Sequence, residues 1–362
     1  MALSGMTNFR NDWKTQALSK EIGINYANRG YSWAEKVQIV LNDFREIGIK
    51  SLKQLNENII KEYVENLKDG EINPHTAQTY ISALNTVIDY TNHILDRNIE
   101  NISAVEHGIS REIYYSNKAI SQEIHTSFQN FLSQQQDPRA ENLKFAVELQ
   151  NQFGLRFRES AGLNINTIQE GLETGKLHLD RTDWTKNARE REISIRTEYQ
   201  RELLQNISNF LKESNIINLA GAQDTKSFKE IAEFRSFADN VRNEFNKEFN
   251  QNFHFHQERH AWAQNLYSQL WQEKTEVEIK APIQYYSEQL EKAGWTSDSG
   301  QKFYDAVKEY SIPSWYDYAE KVLEDKLTIS EIKEIDKEIR MQISEELGHS
   351  RLDVTNVYLG HP

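Results

Sequence analysis

Helix-forming residues dominate this chain, and only five of its 362 residues are proline. Proline breaks helices because it lacks a backbone N–H and has a fixed φ, so its scarcity leaves long stretches free to be helical. The one clear exception is a pair of short segments, residues 176–179 and 192–195, in which apolar and polar side chains alternate. A period of two is typical of strands. The sequence therefore predicts a mostly α fold with a small β hairpin.

Apolar residues recur at helical spacing through the first hundred residues. Ser32-Trp-Ala-Glu35 has the spacing of a capping box and predicts a helix start, and Asn73, just before a proline, predicts another. A separate polar first helix is predicted over residues 8–25. Together these segments indicate a small helical domain over residues 1–102. From pattern alone, a generic helical bundle is the plainest interpretation.

Residues 103–121 have no helical periodicity and are interpreted as a linker. Two helices are predicted after it, at about 122–135 and 139–152, before the hairpin and further helices. Residues 122–362 are therefore expected to form a second, larger domain, since the chain exceeds the length of one typical domain.

A strongly acidic segment lies within the second domain. Residues 271–346 hold 18 Asp and Glu against 10 Lys and Arg, which is −8 of the net charge of −13. We expect a solvated helical insert over residues 270–338. Its three tryptophans, Trp271, Trp295 and Trp315, are candidates for exposed contacts.

Composition excludes several classes of protein. The chain has no cysteine, so disulfides, thiolate metal sites and cysteine nucleophiles are excluded. It has no apolar run of membrane-spanning length, and its first residues do not resemble a signal peptide. The net charge of −13 argues against a protein that simply coats nucleic acid. Because the acidity is concentrated in one segment, the net charge does not exclude a basic groove elsewhere in the chain.

Five features that can carry chemistry follow in order along the second domain. Arg156 follows a Gly-Leu pair that is expected to end one helix and start another. Lys186 lies between the two strands, and His256 and Arg259 are spaced to share a helix face. Each feature alone has a bland interpretation: an Arg–Glu surface pair for Arg156, a solubilising lysine at a hairpin tip for Lys186.

Gly348-His349 and Tyr358 complete the ordered set near the end of the sequence. A competing interpretation is a zinc site at His254, His256 and His260. It is disfavoured because the spacing is not His-Glu-x-x-His and because Arg259 would repel a cation. His260 is the histidine we expect to be a core residue bonded to a carbonyl.

The ordered set resembles the tyrosine recombinase, or phage integrase, family. The resemblance lies in Gly-Leu-Arg156-x-x-Glu159, in Lys186 followed by Arg191, in His256-x-x-Arg259-His260, in Leu-Gly-His349-Ser, and in Thr355-Asn-Val-Tyr358. The helical region before Ser103 also looks like the N-terminal core-binding domain of that family.

The resemblance implies a site-specific DNA recombinase. Tyr358 would attack a scissile phosphate, giving a 3′-phosphotyrosyl link and a free 5′-hydroxyl. Arg156 and Arg259 would clamp the non-bridging oxygens, and Lys186 would protonate the leaving 5′ oxygen. His256 would act as acid and base near the tyrosine.

Three further implications complete the picture. His349 would donate a hydrogen bond to the phosphate, and Glu159 would orient the site, with His260 beside it. No metal or other cofactor is expected. The implied partners are double-stranded DNA and other copies of the chain in a tetrameric synapse, in the cytoplasm and associated with the nucleoid.

Two departures from the family pattern bear on assembly. Arg259 and His349 are 90 residues apart, a much longer interval than is usual in the family, and the extra material is the acidic segment. Only four residues follow Tyr358, whereas family members often carry a longer tail that docks in a neighbouring subunit. We expect the segment 270–338 to replace that tail by contacting a neighbouring protomer. A telomere resolvase, a type IB topoisomerase-like nicking-closing enzyme, and an architectural DNA-binding protein without catalysis are the alternative functions.

Overall fold

The computed structural model of the chain describes residues 7–69, 72–109, 116–180, 183–185, 190–223, 228–297, 301–324, 326–349 and 351–362. The chain divides into two units, Met1–Ile113 and Tyr114–Pro362. Each unit has a hydrophobic core of its own. No helix in these described ranges is both long and apolar enough to cross a lipid bilayer.

The described part of the first unit is helical. Its α-helices are α1 (Asp12–Lys20), α2 (Tyr31–Glu46), α3 (Glu57–Asp69) and α4 (Pro74–Leu95), with a wider π-helical turn at Glu21–Tyr26 and a 3₁₀ turn at Leu52–Gln54.

Two predicted helix starts in this unit had different outcomes. Asn73 caps α4, because its side-chain oxygen accepts from the backbone N–H of His75 at 2.9 Å. The prediction of a capping box that starts a helix at Ser32 was wrong. Helix α2 begins one residue earlier, at Tyr31, and Gly30 is its N-cap. The carbonyl of Gly30 already accepts from the amide of Trp33 at 2.9 Å, so the box residues lie inside the first turn.

The second unit is mostly helical around one two-stranded sheet. Its elements are α5 (Gln122–Ser133), α6 (Arg139–Phe153), α7 (Phe157–Gly162), α8 (Ile165–Thr174), β1 (Lys176–Leu179), β2 (Arg191–Ser194), α9 (Glu198–Glu213), α10 (Phe228–Phe249), α11 (His256–Thr275), α12 (Pro282–Lys292), α13 (Phe303–Glu309), α14 (Trp315–Val322), α15 (Ile329–Glu346) and α16 (Leu352–Leu359). The predicted fold class is confirmed.

The hairpin positions one buried cation. β1 and β2 pair antiparallel, with Leu177 opposite Ile193 and Leu179 opposite Arg191. Alternate residues of a strand share a face, so Arg191 lies on the same buried side as Ile193. Lys186, the predicted catalytic lysine, lies between the strands but outside the described residues.

The helix α11 lies at the centre of the second unit. It packs against α6, α15 and α16, and apolar residues on several of its sides are buried, among them Trp262, Leu266 and Tyr267. A helix that is buried all round needs no single apolar stripe, so its sequence shows little amphipathic contrast. Its first turn carries Arg259 and His260 into the middle of the unit, while His256, the first residue of the helix, is exposed.

The expectation of a solvated insert at residues 270–338 was wrong. Trp271 and Trp315 are completely buried, with ring centroids 6.0 Å apart, and the indole N–H of Trp315 donates to the carbonyl of Lys280 at 2.8 Å. Trp295 is partly buried against the same core. Most of the described acidic residues of the segment are exposed, on helices whose apolar faces join the core of the unit, while Asp336 is buried. The tryptophans are therefore not exposed contacts for a neighbouring protomer.

Candidate active site

Arg156 stands at a helix start that one glycine makes possible. Gly154 ends α6 with φ of +61°, a left-handed conformation that favours glycine. A Cβ there would lie 2.2 Å from the Trp262 ring, so only a residue without a side chain fits at this turn. Two residues later Arg156 is the N-cap of α7, as predicted. Its own amide is occupied, because it donates to Glu159 Oε2 at 2.7 Å.

Glu159 holds two arginines with one buried carboxylate. Arg156 Nη1 donates to Oε1 at 2.8 Å, and Arg191 Nη1 and Nη2 donate to Oε1 and Oε2 at 3.1 and 2.6 Å. Burial alone would raise the pKa of Glu159, but the hydrogen bonds and charge of Arg191, with the charges of Arg156 and Arg259, lower it to about 2. The carboxylate is therefore ionised and fixes both guanidinium groups.

Glu159→Gln is expected to destabilise the second unit by about 3 kcal/mol at neutral pH, because it leaves Arg191 buried without a counter-charge. A lowered folded pKa contributes stability that is complete above the unfolded value of about 4.5 and is lost as the pH falls toward 2. The stability gap between wild type and variant should therefore narrow below about pH 4.5. Urea unfolding at several pH values measures it.

The control for that experiment is Glu202→Gln, at an exposed carboxylate on α9. It should unfold like the wild type at every pH. A gap between Glu159→Gln and wild type that stayed constant from pH 7 to pH 3 would contradict a stabilising role for the Glu159 charge.

Arg259 is a completely buried charge at the centre of the site. Its Nη1 donates to the carbonyl of Gly154, its Nη2 donates to the carbonyl of Leu347 at 2.6 Å, and its Nε lies 3.3 Å from the Tyr358 hydroxyl and donates to it. Burial lowers the pKa of Arg259 to about 10, so the group is still protonated at neutral pH. One guanidinium thus joins the Gly154 turn, the Leu347 turn and Tyr358.

Tyr358 is enclosed by aromatic and cationic groups. It is 5% exposed, and its ring centroid lies 4.6 Å from that of His260, 5.8 Å from His256 and 6.3 Å from His349. The Arg259 Cζ atom is 5.7 Å from the ring centroid. The structure therefore brings the predicted tyrosine, three of the histidines and one arginine together, although they come from α11, the turn after α15, and α16.

The two histidines of α11 are neutral at physiological pH. Desolvation, followed by the charges of Arg259, Arg156 and Lys118, lowers the pKa of His256 to about 4. Burial, followed by His256 and the cations Lys118 and Arg259, lowers that of His260 to about 3. His260 is buried, as expected, but it packs against the Tyr358 ring and so belongs to the site. A neutral imidazole can accept a proton, which the imidazolium form cannot.

His349 is placed by a glycine turn that Arg156 also contacts. Gly348 has φ of +71°, and a Cβ there would lie 3.1 Å from Arg191 Cδ. Arg156 Nη2 lies 3.4 Å from His349 Nε2 and 3.4 Å from the carbonyl of Leu347. These contacts bring the predicted residues Arg156 and His349 together. Ser350, the last residue of the Leu-Gly-His-Ser motif, lies outside the described residues.

Sequence reasoning missed a buried amide that contacts the tyrosine backbone. Gln264 Nε2 donates to the carbonyl of Tyr358 at 3.1 Å and to Asn117 Oδ1 at 2.9 Å. Gln264 is four residues after His260 and eight after His256, so the three share one face of α11. That spacing was a usable signal. It was overlooked because glutamine carries no obvious chemistry.

A second missed group lies behind Arg259. Glu258 is completely buried, and both its oxygens lie 3.0 Å from His125 Nδ1, while Asn151 Nδ2 donates to it at 2.7 Å. His125 Nε2 faces Glu148 at 3.1 Å. Burial opposes protonation of His125, but the two carboxylates raise its pKa to about 10. The resulting charged network fixes the first turn of α11.

The zinc interpretation receives no support from the described residues. Among them no group of three or more His, Asp or Glu side chains is arranged to hold a metal ion. His256 and His260 meet edge to face, with centroids 5.1 Å apart.

Comparisons with known proteins agree with the resemblance. The family model for integrases matches residues 108–265. Solved structures with the same fold include the Tn1549 transposon integrase in complex with a circular intermediate DNA (14% identity, 96% of this chain and 95% of that chain, TM-score 0.53) and with transposon right end DNA (12% identity, 96% and 95%, TM-score 0.52). Another is the XerH site-specific recombinase bound to a palindromic difH substrate in a post-cleavage complex (14% identity, 97% and 81%, TM-score 0.50). No curated protein sequence matches the chain.

Proposed function

We propose that this chain, a member of the integrase family of tyrosine recombinases, cuts and rejoins DNA at a specific site with Tyr358 as the nucleophile. The observation that carries the assignment is the contact of Tyr358 with Arg259, at 3.3 Å, beside the rings of the neutral histidines His256 and His260. A nucleophile, a cation for the phosphate and a proton acceptor therefore lie side by side. Transesterification at phosphorus needs those three groups.

His256 is proposed as the group that takes the proton from Tyr358. Its pKa of about 4 leaves it unprotonated at neutral pH, and its ring lies beside that of the tyrosine. The attack forms the bond from Tyr358 to phosphorus and releases the 5′-hydroxyl. The phosphodiester bond energy is kept in the tyrosyl link, so the reverse step can reseal DNA without ATP.

Arg259, Arg156 and His349 are proposed to bind the scissile phosphate. Arg259 carries the charge that faces Tyr358, Arg156 reaches His349 at 3.4 Å, and both arginines donate to the carbonyl of Leu347. Two guanidinium groups fixed in advance by Glu159 and by backbone carbonyls stabilise negative charge on the pentavalent phosphorane without reorganising. Glu159 is therefore an orienting group.

Lys186 is proposed as the acid that protonates the leaving 5′ oxygen. The residue itself lies outside the described part of the chain, and the support comes from its flanks. β2 begins at Arg191, which is bonded to Glu159 and so lies beside Arg156. A short connection between β1 and β2 therefore starts and ends near the proposed phosphate site.

Double-stranded DNA is the proposed partner, and the assembly a tetrameric synapse on two duplexes. The support is the family and the DNA complexes of the Tn1549 integrase and of XerH. The helices within residues 1–102 are proposed to bind DNA as a core-binding domain, joined through a linker at 103–121 to the catalytic domain. We place the activity where chromosomal DNA lies, in the cytoplasm at the nucleoid.

A nicked duplex that loses its 5′ fragment after cleavage tests the function. The protein should become covalently attached to a preferred site, and protease digestion with mass spectrometry should find the DNA adduct on the peptide that contains Tyr358. Relaxation of any supercoiled plasmid without recombination would instead indicate a nicking-closing enzyme. Binding without an adduct would indicate an architectural protein.

A further inference from the structure

A buried ion pair lies where three helices of the active site meet. Arg340 and Asp336, one turn apart on α15, are each 4% exposed, and Arg340 Nε donates to the two Asp336 oxygens at 2.8 and 2.9 Å. The Tyr267 hydroxyl of α11 donates to the same carboxylate at 2.5 Å. A charge pair withdrawn from water this completely needs further hydrogen bonds to offset its desolvation.

Arg340 finds those bonds on the helix of the tyrosine. Its Nη1 donates to Asn356 Oδ1 at 2.9 Å and to the carbonyl of Gly360 at 2.8 Å. These two acceptors lie on either side of Tyr358 in sequence. Nη1 therefore binds residues on both sides of Tyr358. The Gly360 carbonyl, at the C-terminal end of the helix, accepts from a positive charge, which is the favourable sign there.

The residues after Tyr358 dock on the same part of the chain. Gly360 has φ of +76°, and a Cβ there would lie 2.9 Å from Ile283 on α12. The amide of His361 donates to the Tyr304 hydroxyl of α13 at 2.6 Å. The acidic segment thus supplies the surface that receives this stretch within the same chain.

Each helix in the cluster carries a part of the proposed catalytic set. α11 holds His256 and Arg259, α15 leads into His349, and α16 holds Tyr358. The Asp336–Arg340 pair joins all three helices, because Asp336 accepts from Tyr267 of α11 and Arg340 donates to Asn356 and Gly360 at α16.

We propose that Arg340 is a positioning residue that locks α16, and with it Tyr358, into the active site of its own chain, so that each protomer cleaves with its own tyrosine. The inference rests on the proposed role of Tyr358 as nucleophile. Arg340 acts through α16 and does not touch DNA in this scheme. Asp336 and Arg340, which hold α16 in this proposal, both belong to the acidic segment between Arg259 and His349.

Arg340→Lys tests the lock without removing the charge beside Asp336. A lysine ammonium lacks the planar fork that reaches Asp336, Asn356 and Gly360 together. Hydrogen exchange of the amides in residues 352–359 should become about tenfold faster or more, since charged hydrogen bonds to α16 are lost. Exchange in α11 should stay as in the wild type. The matched control is Lys337→Ala, at an exposed position on the same helix.

Cleavage kinetics separate positioning from simple loss of fold. On the nicked duplex, Arg340→Lys should lower the rate of adduct formation at saturating DNA by about tenfold, while the DNA concentration for half-saturation stays unchanged. Asn356→Ala removes one acceptor and leaves the ion pair intact, so it should give a smaller loss in the same direction.

A mixing experiment tests whose tyrosine acts. One protein carries Tyr358→Phe, and a second, larger tagged protein carries Arg156→Ala with its tyrosine intact. If α16 is locked in its own chain, the mixture should form no more adduct than either protein alone. An adduct on the tagged protein in the mixture would overturn the proposal, because its tyrosine would then have reached the intact site of the other chain.

Two further results distinguish a failure of the Arg340 proposal from a failure of the proposed function. Wild-type exchange and wild-type cleavage in Arg340→Lys would overturn the lock and leave the function untouched. If the wild type formed no adduct with any DNA, the proposed function would fail, while the exchange measurement would still report whether Arg340 holds α16.

Discussion

Tyr358→Phe is expected to lower covalent attachment to DNA by ~10⁴-fold or more, because loss of a nucleophile removes the chemical step and leaves only binding. Phenylalanine keeps the ring that packs against His260 and His256, so the fold and the affinity for DNA should stay close to those of the wild type. The only direct loss is the hydroxyl that accepts from Arg259 Nε. Adduct formation on the nicked duplex, followed by denaturing electrophoresis, measures the effect, and a gel-shift assay measures binding.

The matched control is Tyr310→Phe, at a tyrosine that is 39% exposed and follows α13. It removes the same hydroxyl from a place where no catalytic group lies, so its cleavage rate should equal that of the wild type. An adduct formed by Tyr358→Phe at more than a trace level would assign the nucleophile to another residue.

The proposed active-site residues were readable from the sequence because each motif is short and local. A glycine before Leu-Arg156 needs only a left-handed φ and a helix start, and both are found at Gly154. His256, Arg259 and His260 share the first turn of one helix by spacing alone. Residue spacing within a motif does not predict that α11, α15 and α16 pack together. That packing was inferred from the family resemblance, and the positions of Arg156, Arg259 and Tyr358 agree with it.

The acidic segment was misjudged for a physical reason. Asp336 and Arg340 are four residues apart on α15, a spacing that is equally typical of a solvated surface pair. Burial depends on what packs over the pair, and Tyr267 and α16 come from distant parts of the chain. The same applies to Trp315, whose partner Trp271 lies on another helix. The net charge of the segment does not distinguish the exposed faces of its helices from the buried ones. Its acidic total therefore did not reveal that the buried faces are apolar.

Glu258 shows a further limit of motif matching. Its neighbours His256, Arg259 and His260 were singled out, and Glu258 itself was passed over. The structure pairs it with His125 on α5, at the start of the second unit. A carboxylate in that position would be costly if it were unpaired. Finding its partner requires knowing that α5 packs behind α11, which no local pattern in the sequence states.

Arg259→Lys is expected to lower the rate of cleavage by ~10³-fold, the scale of loss when a guanidinium that stabilises a phosphoryl transition state is removed. Lysine keeps the positive charge, but it is a point charge without the planar fork. It cannot contact the carbonyls of Gly154 and Leu347 and the Tyr358 hydroxyl together, as the arginine does. The loss should fall on the rate at saturating DNA, because the contact matters most when charge develops on phosphorus.

Arg201→Lys is the control for that substitution, since Arg201 is exposed on α9 and donates to the carbonyl of Leu172 at 2.8 Å. It should cleave at the wild-type rate. Because Arg259 is completely buried, thermal unfolding must first show that Arg259→Lys still folds. A folded Arg259→Lys protein that cleaved within tenfold of the wild type would contradict the proposed role. The phosphate would then be stabilised mainly by Arg156 and His349.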